Sequence, residues 1–336
     1  MWNNHTNRQG YGKKSVPPKP SVASAKSVDY ATFDFVRTSK PRKILTYTGS
    51  KDRLLPYLIW LANDAAKLNN LTHYKEFYGG SGSLLLNHSF LFDTYWYNDV
   101  DEGMCSLMIA LGDMRYVHSV IDKLKMLGVS RNVFDQAKVA LDSKESLSLV
   151  DLACNTYISI MQSYGAGREA FNPMFIRKPK EVERYYKQVQ TLDSFLPFLS
   201  QVKITNEDTL KLLKDTLHDG SSLFFLDPPY HPNSGMSGNN HYGKNSMSAE
   251  QHQELVGLLL RTNSKVILSG YDNDDYQRLI TYGWRKLFLG SLRTIGSKKG
   301  GEYVWINFEI SSYLEESFAQ AEKMREAERE KQEELD

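Results

Sequence analysis

The sequence predicts an α/β fold built on a doubly wound, mainly parallel sheet, and three observations carry that prediction. Short apolar runs of strand character alternate with stretches of helical period. Two of those runs end in distinctive turns, one rich in glycine and one carrying adjacent prolines. Finally, a long, mostly helical block, residues 113–200, separates the strand-like runs into two groups, as an insertion between the halves of one sheet would.

Residues 1–40 are rich in Ser, Pro, Lys and Asn and have no hydrophobic period, which reads as a flexible basic tail. Leu54, Leu55, Leu58, Ile59 and Leu61 then follow a turn at Gly49 with helical spacing, and Pro56 is acceptable because it falls in the first turn. Thr72–Tyr78 reads as a strand closing on glycines, Ser83 onward as the helix after it, and Thr94–Tyr97 as an aromatic strand closed by Asn98 and Asp99. Beyond the helical block, Val202–Thr205, Ser222–Leu226, Lys265–Ser269 and Tyr303–Phe308 restore the strand pattern. Residues 313–336 are read as a charged C-terminal extension, helical or frayed.

At 336 residues, 41% hydrophobic and 24% charged, the chain can bury a sizeable core. Apolar runs such as Leu223–Leu226 are far too short to cross a bilayer, and Met1–Lys14 lacks the apolar centre of a secretory signal, so a cytoplasmic protein is expected. Cys105 and Cys154 have no metal-site spacing and read as free thiols in a reducing compartment; no metal is expected. The net charge of +1 hides an asymmetry: nine Lys/Arg against two acidic residues in positions 1–43, and nine acidic against four basic from Leu314 onward. A basic arm suits a polyanionic partner, although a solvated tail has the same composition.

Asp227-Pro228-Pro229-Tyr230 is the sharpest motif, directly after the run Leu223–Leu226. Doubly wound sheets bind ligands beyond the carboxyl ends of their strands, where this tetrad would lie. Two prolines stiffen the loop and leave carbonyls without local N–H partners. An amine donating to the Asp227 carboxylate and the Pro228 carbonyl keeps its lone pair outward, ready for in-line attack on a methyl sulfonium. Tyr230 offers a face on which a planar base can stack. The competing reading is a rigid turn with a buried tyrosine.

A second motif, Glu76-Phe77-Tyr78-Gly79-Gly80-Ser81-Gly82, lies between a strand and a helix; its glycines let backbone approach a ligand closely, and the helix N-terminus adds favourable N–H groups. Asp99 follows about 20 residues on, where a carboxylate accepts from ribose hydroxyls. This pair alone fits a nicotinamide dehydrogenase equally well. In Tyr47-Thr48-Gly49-Ser50-Lys51, Lys51 can meet a carboxylate and Tyr47 can pack on a cofactor; in isolation the segment also reads as a surface turn. Asp208 is placed as an acceptor for an adenine amine or as an exposed helix cap.

Together these residues resemble the Dam-type, alpha-group N6-adenine-specific DNA methyltransferases, in that family's order from about Lys43 to Ile310. Tyr47–Lys51 resembles the N-terminal motif that binds S-adenosylmethionine, Glu76–Asn87 the glycine-rich cofactor loop, and Asn98-Asp99 the ribose-holding motif. Asp227–Tyr230 matches the catalytic tetrad in full. Ser246–Leu255, with Glu250, Gln251 and His252, is similar to the helix start downstream of it, and Val266–Tyr271 to the strand after that. Ser291–Asn307, with Arg293 and Glu302, resembles the closing hairpin near the target base. The resemblance implies a Rossmann-like methyltransferase sheet with a C-terminal antiparallel hairpin. Residues 41–112 and 201–312 would form the catalytic, S-adenosylmethionine-binding domain, and 113–200 an inserted, mostly helical target-recognition domain.

The resemblance assigns catalysis to Asp227, Pro228, Pro229 and Tyr230, and cofactor binding to Tyr47, Lys51, Phe77, Tyr78, Gly80, Gly82, Asp99, Asp208 and Asp227. Contact with double-stranded DNA is expected of Arg168, Asn172, Arg177, Lys178, Arg293 and Lys298, with the target adenine flipped out of the stack. A cognate restriction endonuclease is a candidate partner, and the sequence leaves open both it and the oligomeric state. Two departures stand out. Phe77-Tyr78 replaces the family's usual Pro-Phe, and the recognition segment shrinks to Gly165–Pro173, so specificity for GATC is not carried over. N4-cytosine methylation, RNA methylation, a dehydrogenase and an inactive DNA-binding module are the rival functions; Asp at the first position of the tetrad favours adenine over cytosine, the dehydrogenase leaves the tetrad idle, and the intact tetrad argues against an inactive module.

Overall fold

The computed structural model describes residues 41–88, 92–143, 145–233, 245–292 and 300–333. The basic tail and the expected DNA contacts Arg293 and Lys298 lie outside the described residues. Seven strands form one sheet: β1 (His73–Phe77), β2 (Thr94–Asn98), β3 (Val202–Thr205), β4 (Ser222–Leu226), β5 (Lys265–Tyr271), β6 (Arg285–Leu292) and β7 (Gly300–Ile306). Their spatial order is β3-β2-β1-β4-β5-β7-β6. The first five run parallel, and β6 and β7 form an antiparallel hairpin docked on β5. The predicted doubly wound α/β sheet with a closing hairpin is what the chain forms.

Strand order reverses between β1 and β4, and this switch point positions the site. Phe77 pairs with Leu226 in register, so the turn after β1 and the tetrad after β4 leave the sheet side by side. Ladder neighbours also bring the end of β2 to the end of β1, Asn98 lying opposite Phe77.

Alternation along the strands divides the core in two. Tyr74, Leu223, Phe225, Ile267, Val304 and Ile306 share one cluster with α1 (Leu55–Asn69). Phe77, Phe224, Leu226, Val266, Leu268 and Trp305 face the other way, onto α9 (Thr209–Thr216), α10 (Ala249–Leu259) and α11 (Asp274–Thr281). In α1, Pro56 stands in the first turn, where its missing N–H leaves no hydrogen bond unmade, and Leu58, Leu61, Ala62 and Ala65 bury one face.

Between β2 and β3 the chain is helical: α2 (Glu102–Leu111), α3 (Val117–Leu127), α4 (Arg131–Asp142), α5 (Leu149–Met161), α6 (Met174–Arg177), α7 (Pro179–Gln190) and α8 (Leu196–Leu199). Asp101, Ser130 and Ser148 cap α2, α4 and α5 through their side chains. Met104, Val120, Tyr157 and Tyr185 of this block are buried in the same cluster as Leu58 and Tyr74. The final helix, α12 (Ser312–Glu333), begins by burying Leu314 and Phe318.

One expected element does not form. Ser83 onward is a series of turns, not the helix the alternation pattern suggested. Leu86 N–H reaches the Gly82 carbonyl and His88 N–H that of Leu84, but the Glu76 carboxylate takes the Leu85 N–H at 2.7 Å. Asn87 is drawn to the Arg42 backbone. These side chains compete for the groups that a helix would pair with its own backbone.

Candidate active site

Four segments converge at the switch point around a cavity of about 360 Å³. The turn Tyr47–Lys51 enters α1, and Lys51 is drawn under the tetrad with only 3% of its side chain exposed. Its ammonium lies 2.7 Å from Asp227 Oδ2, 3.4 Å from a Glu302 oxygen and 3.2 Å from the Gly49 carbonyl, to which it donates. Glu302 comes from β7, opposite Tyr271 of β5, and is fully buried. Ser269, also fully buried, donates to Glu302 at 3.2 Å. Burial holds both carboxyls above the ordinary carboxylate range; the Lys51 charge opposes the shift in each, and Asp227 adds to it in Glu302.

Tyr230 stands beside Asp227 with its ring 4.4 Å, centroid to centroid, from that of Tyr271 at a steep angle, and Lys51 lies 5.5 Å from its centre. Below the loop, His252 is buried, accepts from or donates to Tyr276 at 2.9 Å, and has its pKa lowered to about 4, chiefly by burial.

The glycine turn is braced from β2. Tyr97 donates to the Gly80 carbonyl at 2.7 Å, and Asp99 accepts from the Gly80 and Asp101 N–H groups at 2.7 and 2.8 Å. A Cβ on Gly79 would lie 2.2 Å from the buried Tyr97 ring, so no larger residue fits. Gly80 (φ +49°) packs against Tyr47, and its neighbour Tyr78 also adopts a left-handed backbone (φ +56°). Such strain in a non-glycine residue costs about 1–3 kcal/mol and concentrates at ligand-clamping turns. Asp99 is pushed up to about 6 by burial, against the pull of its backbone donors.

Acidic side chains dominate the lining. Glu76, Asp99, Asp101, Asp208 and Asp227 face the cavity against Lys51 and Arg168, each of which is already paired with a carboxylate. A cationic ligand suits this lining, and a pyrophosphate does not. Glu76 is held up at about 8 by burial, although the Tyr74 hydroxyl and the Leu85 N–H both donate to it.

The expected cofactor residues Tyr47, Lys51, Tyr78, Gly80, Asp99, Asp208 and Asp227 all line the cavity. Asp208 does so while capping α9 through the Lys211 N–H. Phe77 is a correction: it points to the opposite sheet face, wedged edge-on between Trp96 and Phe224, because alternation sends it away from Glu76. Gly82 is another, since it packs near Met108 and serves the turn rather than the cavity wall. Within the tetrad, Asp227 and Pro229 reach the cavity; Pro228 is buried.

Among the expected DNA contacts, Arg177 and Lys178 are exposed at the end of α6, and the Asn172 side chain accepts from Met174 N–H at its start. Arg168 differs from expectation. It turns inward from a left-handed backbone (φ +60°), pairs with Asp101 at 2.8 Å and lines the cavity. The Gly165 carbonyl on the same loop accepts from Thr48. Ser269 and Asp101 were not singled out from sequence, and Glu76 and Glu302 were named only within their motifs, without a role of their own. Glu302 is 75 positions from Asp227, and only hairpin register brings it close.

The chain finds no match among curated proteins. A family model does match it: that of the D12 class N6 adenine-specific DNA methyltransferases, over residues 47–283. The match runs from Tyr47 of the first turn past the tetrad to Gly283, more than two thirds of the chain. With this span enclosing the cavity, its acidic lining and Asp227, the chain belongs to the D12 class N6 adenine-specific DNA methyltransferases, enzymes that methylate adenine in DNA.

Proposed function

We propose that the protein is a site-specific enzyme that transfers a methyl group from S-adenosylmethionine to N6 of an adenine flipped out of double-stranded DNA. The observation that carries this reading is the position of Asp227: at the sheet's switch point, held by Lys51, on the wall of a cavity whose lining suits a cation. When bound, S-adenosylmethionine supplies an electrophilic methyl on a positively charged sulfur. Asp99, which lines the cavity, accepts from ribose hydroxyls, the glycine turn allows close backbone approach, and Tyr47 packs beside them. Asp208, in the cavity lining, accepts from the adenine amine.

For the target base, Asp227 accepts one N–H of the exocyclic amine and the Pro228 carbonyl accepts the other. This arrangement directs the nitrogen lone pair along one line, and such alignment by itself can lower a barrier by several kcal/mol. Tyr230, braced edge-on by Tyr271, stacks on the base and offsets part of the few kcal/mol that flipping requires. Residues 113–200 choose the site, with Asn172, Arg177 and Lys178, and with Arg293 and Lys298 from the hairpin connection. Arg168 instead holds its loop over the cofactor cavity through Asp101.

The test uses DNA from a methylation-free host expressing the wild-type chain or Asp227→Ala. N6-methyladenine at one short motif, absent with the variant, is the expected result. Near-normal methylation by Asp227→Ala, or another modified nucleoside, would refute the assignment.

A further inference from the structure

The tetrad loop has to hold Tyr230 in one plane without help from the sheet ladder, which ends at Leu226. Among the described residues, no backbone–backbone hydrogen bond joins residues 228–233 to the rest of the chain. Side chains hold the loop instead, and they come from the turn after β5. At the start of that turn, Tyr271 stands edge-on to Tyr230, 4.4 Å between ring centroids. At its far end, Asp275 in the first turn of α11 lies 2.9 Å from His231 Nε2. Asn273 staples the turn itself, donating to the Tyr271 carbonyl at 3.0 Å and accepting from the Tyr276 N–H at 3.0 Å. One turn therefore grips two successive residues of the loop, Tyr230 and His231.

His231 is buried and both its ring nitrogens are engaged. Nδ1 lies 3.1 Å from the Asn233 nitrogen, whose N–H can only donate, so Nδ1 carries no proton. The ring proton is then on Nε2 and is donated to Asp275, which makes the imidazole neutral and fixes its tautomer. Against this ring packs His252 of α10, 4.8 Å away between centroids and itself hydrogen-bonded to Tyr276 at 2.9 Å. Burial lowers the His252 pKa to about 4, so that ring is neutral and adds no charge beside the pair.

We propose that His231, by bridging Asp275 and the Asn233 N–H, fixes the plane of Tyr230 and so acts as a positioning residue for the flipped base. The proposal rests on the reading of Tyr230 as the face on which the target base stacks. Stacking sets the height and tilt of the base, and a misplacement of about 1 Å can cost about 100-fold in rate. The methyl-donor cavity does not depend on this tether. His231 and Asp275 line a different cavity, of about 420 Å³, and neither reaches the one that holds Asp99 and Asp227. Losing the tether therefore disturbs the base and leaves donor binding alone.

Full-length wild-type protein, His231→Ala, Asp275→Ala, Tyr230→Ala and His231→Ala combined with Tyr230→Ala would be compared on duplex DNA that the wild type methylates. His231→Ala and Asp275→Ala are each expected to lower kcat about 10- to 100-fold, with little change in KM for DNA or in donor affinity. The combined variant should fall no further than Tyr230→Ala, because His231 acts through that ring. With 2-aminopurine at the target position, emission from the His231→Ala complex should move from the wild-type value toward that of Tyr230→Ala. His231→Gln, whose amide nitrogen reaches as far as Nε2, should recover most of the loss, and the shorter His231→Asn should not. Asp275→Asn, which keeps an accepting oxygen, should recover most of the loss seen in Asp275→Ala. Nitrogen NMR of the ligand-free protein should find a proton on His231 Nε2 and none on Nδ1. Normal kcat in His231→Ala, a further loss on adding it to Tyr230→Ala, equal recovery by Asn and Gln, or a matching loss of donor affinity overturns the proposal while leaving the role of Asp227 intact. If His231→Ala does not fold, the comparison of Gln with Asn decides. Wild-type protein that methylates no DNA overturns the functional reading and this proposal with it.

Discussion

Replacing Lys51 with Met would remove the cation between two buried carboxylates while keeping most of the side-chain volume. Lys51 is 3% exposed and Glu302 fully buried, so little water can take over the role of the ammonium. Breaking a buried ion pair from one side destabilises by about 3–5 kcal/mol, because the remaining charge is uncompensated. Here two charges remain, and each can be relieved by taking up a proton. Burial has already raised both Asp227 and Glu302 above the carboxylate range expected of the unfolded chain, against the pull of Lys51. Losing that pull raises them further. A carboxyl raised on folding binds its proton more tightly in the native state, so native stability falls as pH rises from the unfolded value toward the folded one. Urea unfolding of Lys51→Met should therefore show a deficit of about 3–5 kcal/mol near pH 8 that shrinks toward pH 5, by up to about 1.4 kcal/mol per pH unit for each proton bound. A deficit under about 1 kcal/mol, or one independent of pH, would show that the triad is not electrostatically coupled as its geometry requires.

Gly79→Ala places a methyl 2.2 Å from the Tyr97 ring, and overpacking there should destabilise by about 1–3 kcal/mol in thermal unfolding and weaken methyl-donor binding in calorimetry. Phe77→Leu should cost about 1–3 kcal/mol of stability yet leave donor affinity unchanged, since Phe77 packs on the far sheet face; a selective loss of affinity would return it to the cofactor site. Arg168→Ala removes a partly exposed ion pair, so stability should change by less than about 1 kcal/mol while donor affinity falls several-fold; weakened DNA binding with unchanged donor affinity would restore its expected role at the DNA. Glu76→Gln should flatten the stability profile. In the wild type, Glu76 is raised to about 8 by burial, so its contribution is fully present below the unfolded carboxylate range and is lost as pH rises from there to about 8; urea titrations at the two ends of that window measure the difference.

The order of elements was legible because strands and helices leave local periods in the chain, and the turns at β1 and β4 carry residues that only special backbone tolerates. Asp227 followed from the same local signals, whereas Lys51, Asp99 and the glycine turn, whose local readings stayed open, were assigned by the family resemblance; the structure brings all of them to one cavity. Less of the site could be read where a side chain had a choice of partners. The pattern after Ser83 looks helical until the Glu76 carboxylate claims the Leu85 N–H, and Arg168 looks like a free DNA contact until Asp101 lies within 2.8 Å.

The sequence by itself determined the fold class, the tetrad and its position at a strand end, because these rest on short-range periodicity and on residue types suited to few backbone conformations. Tertiary structure alone decided that Glu76 and Phe77 serve opposite faces of the sheet, that Lys51 joins Asp227 across 176 positions, and that Glu302 and Ser269 complete the cluster. The reason is physical: sheet register and the balance between desolvation and pairing set these contacts, and neither quantity is written in the residues near them in the chain.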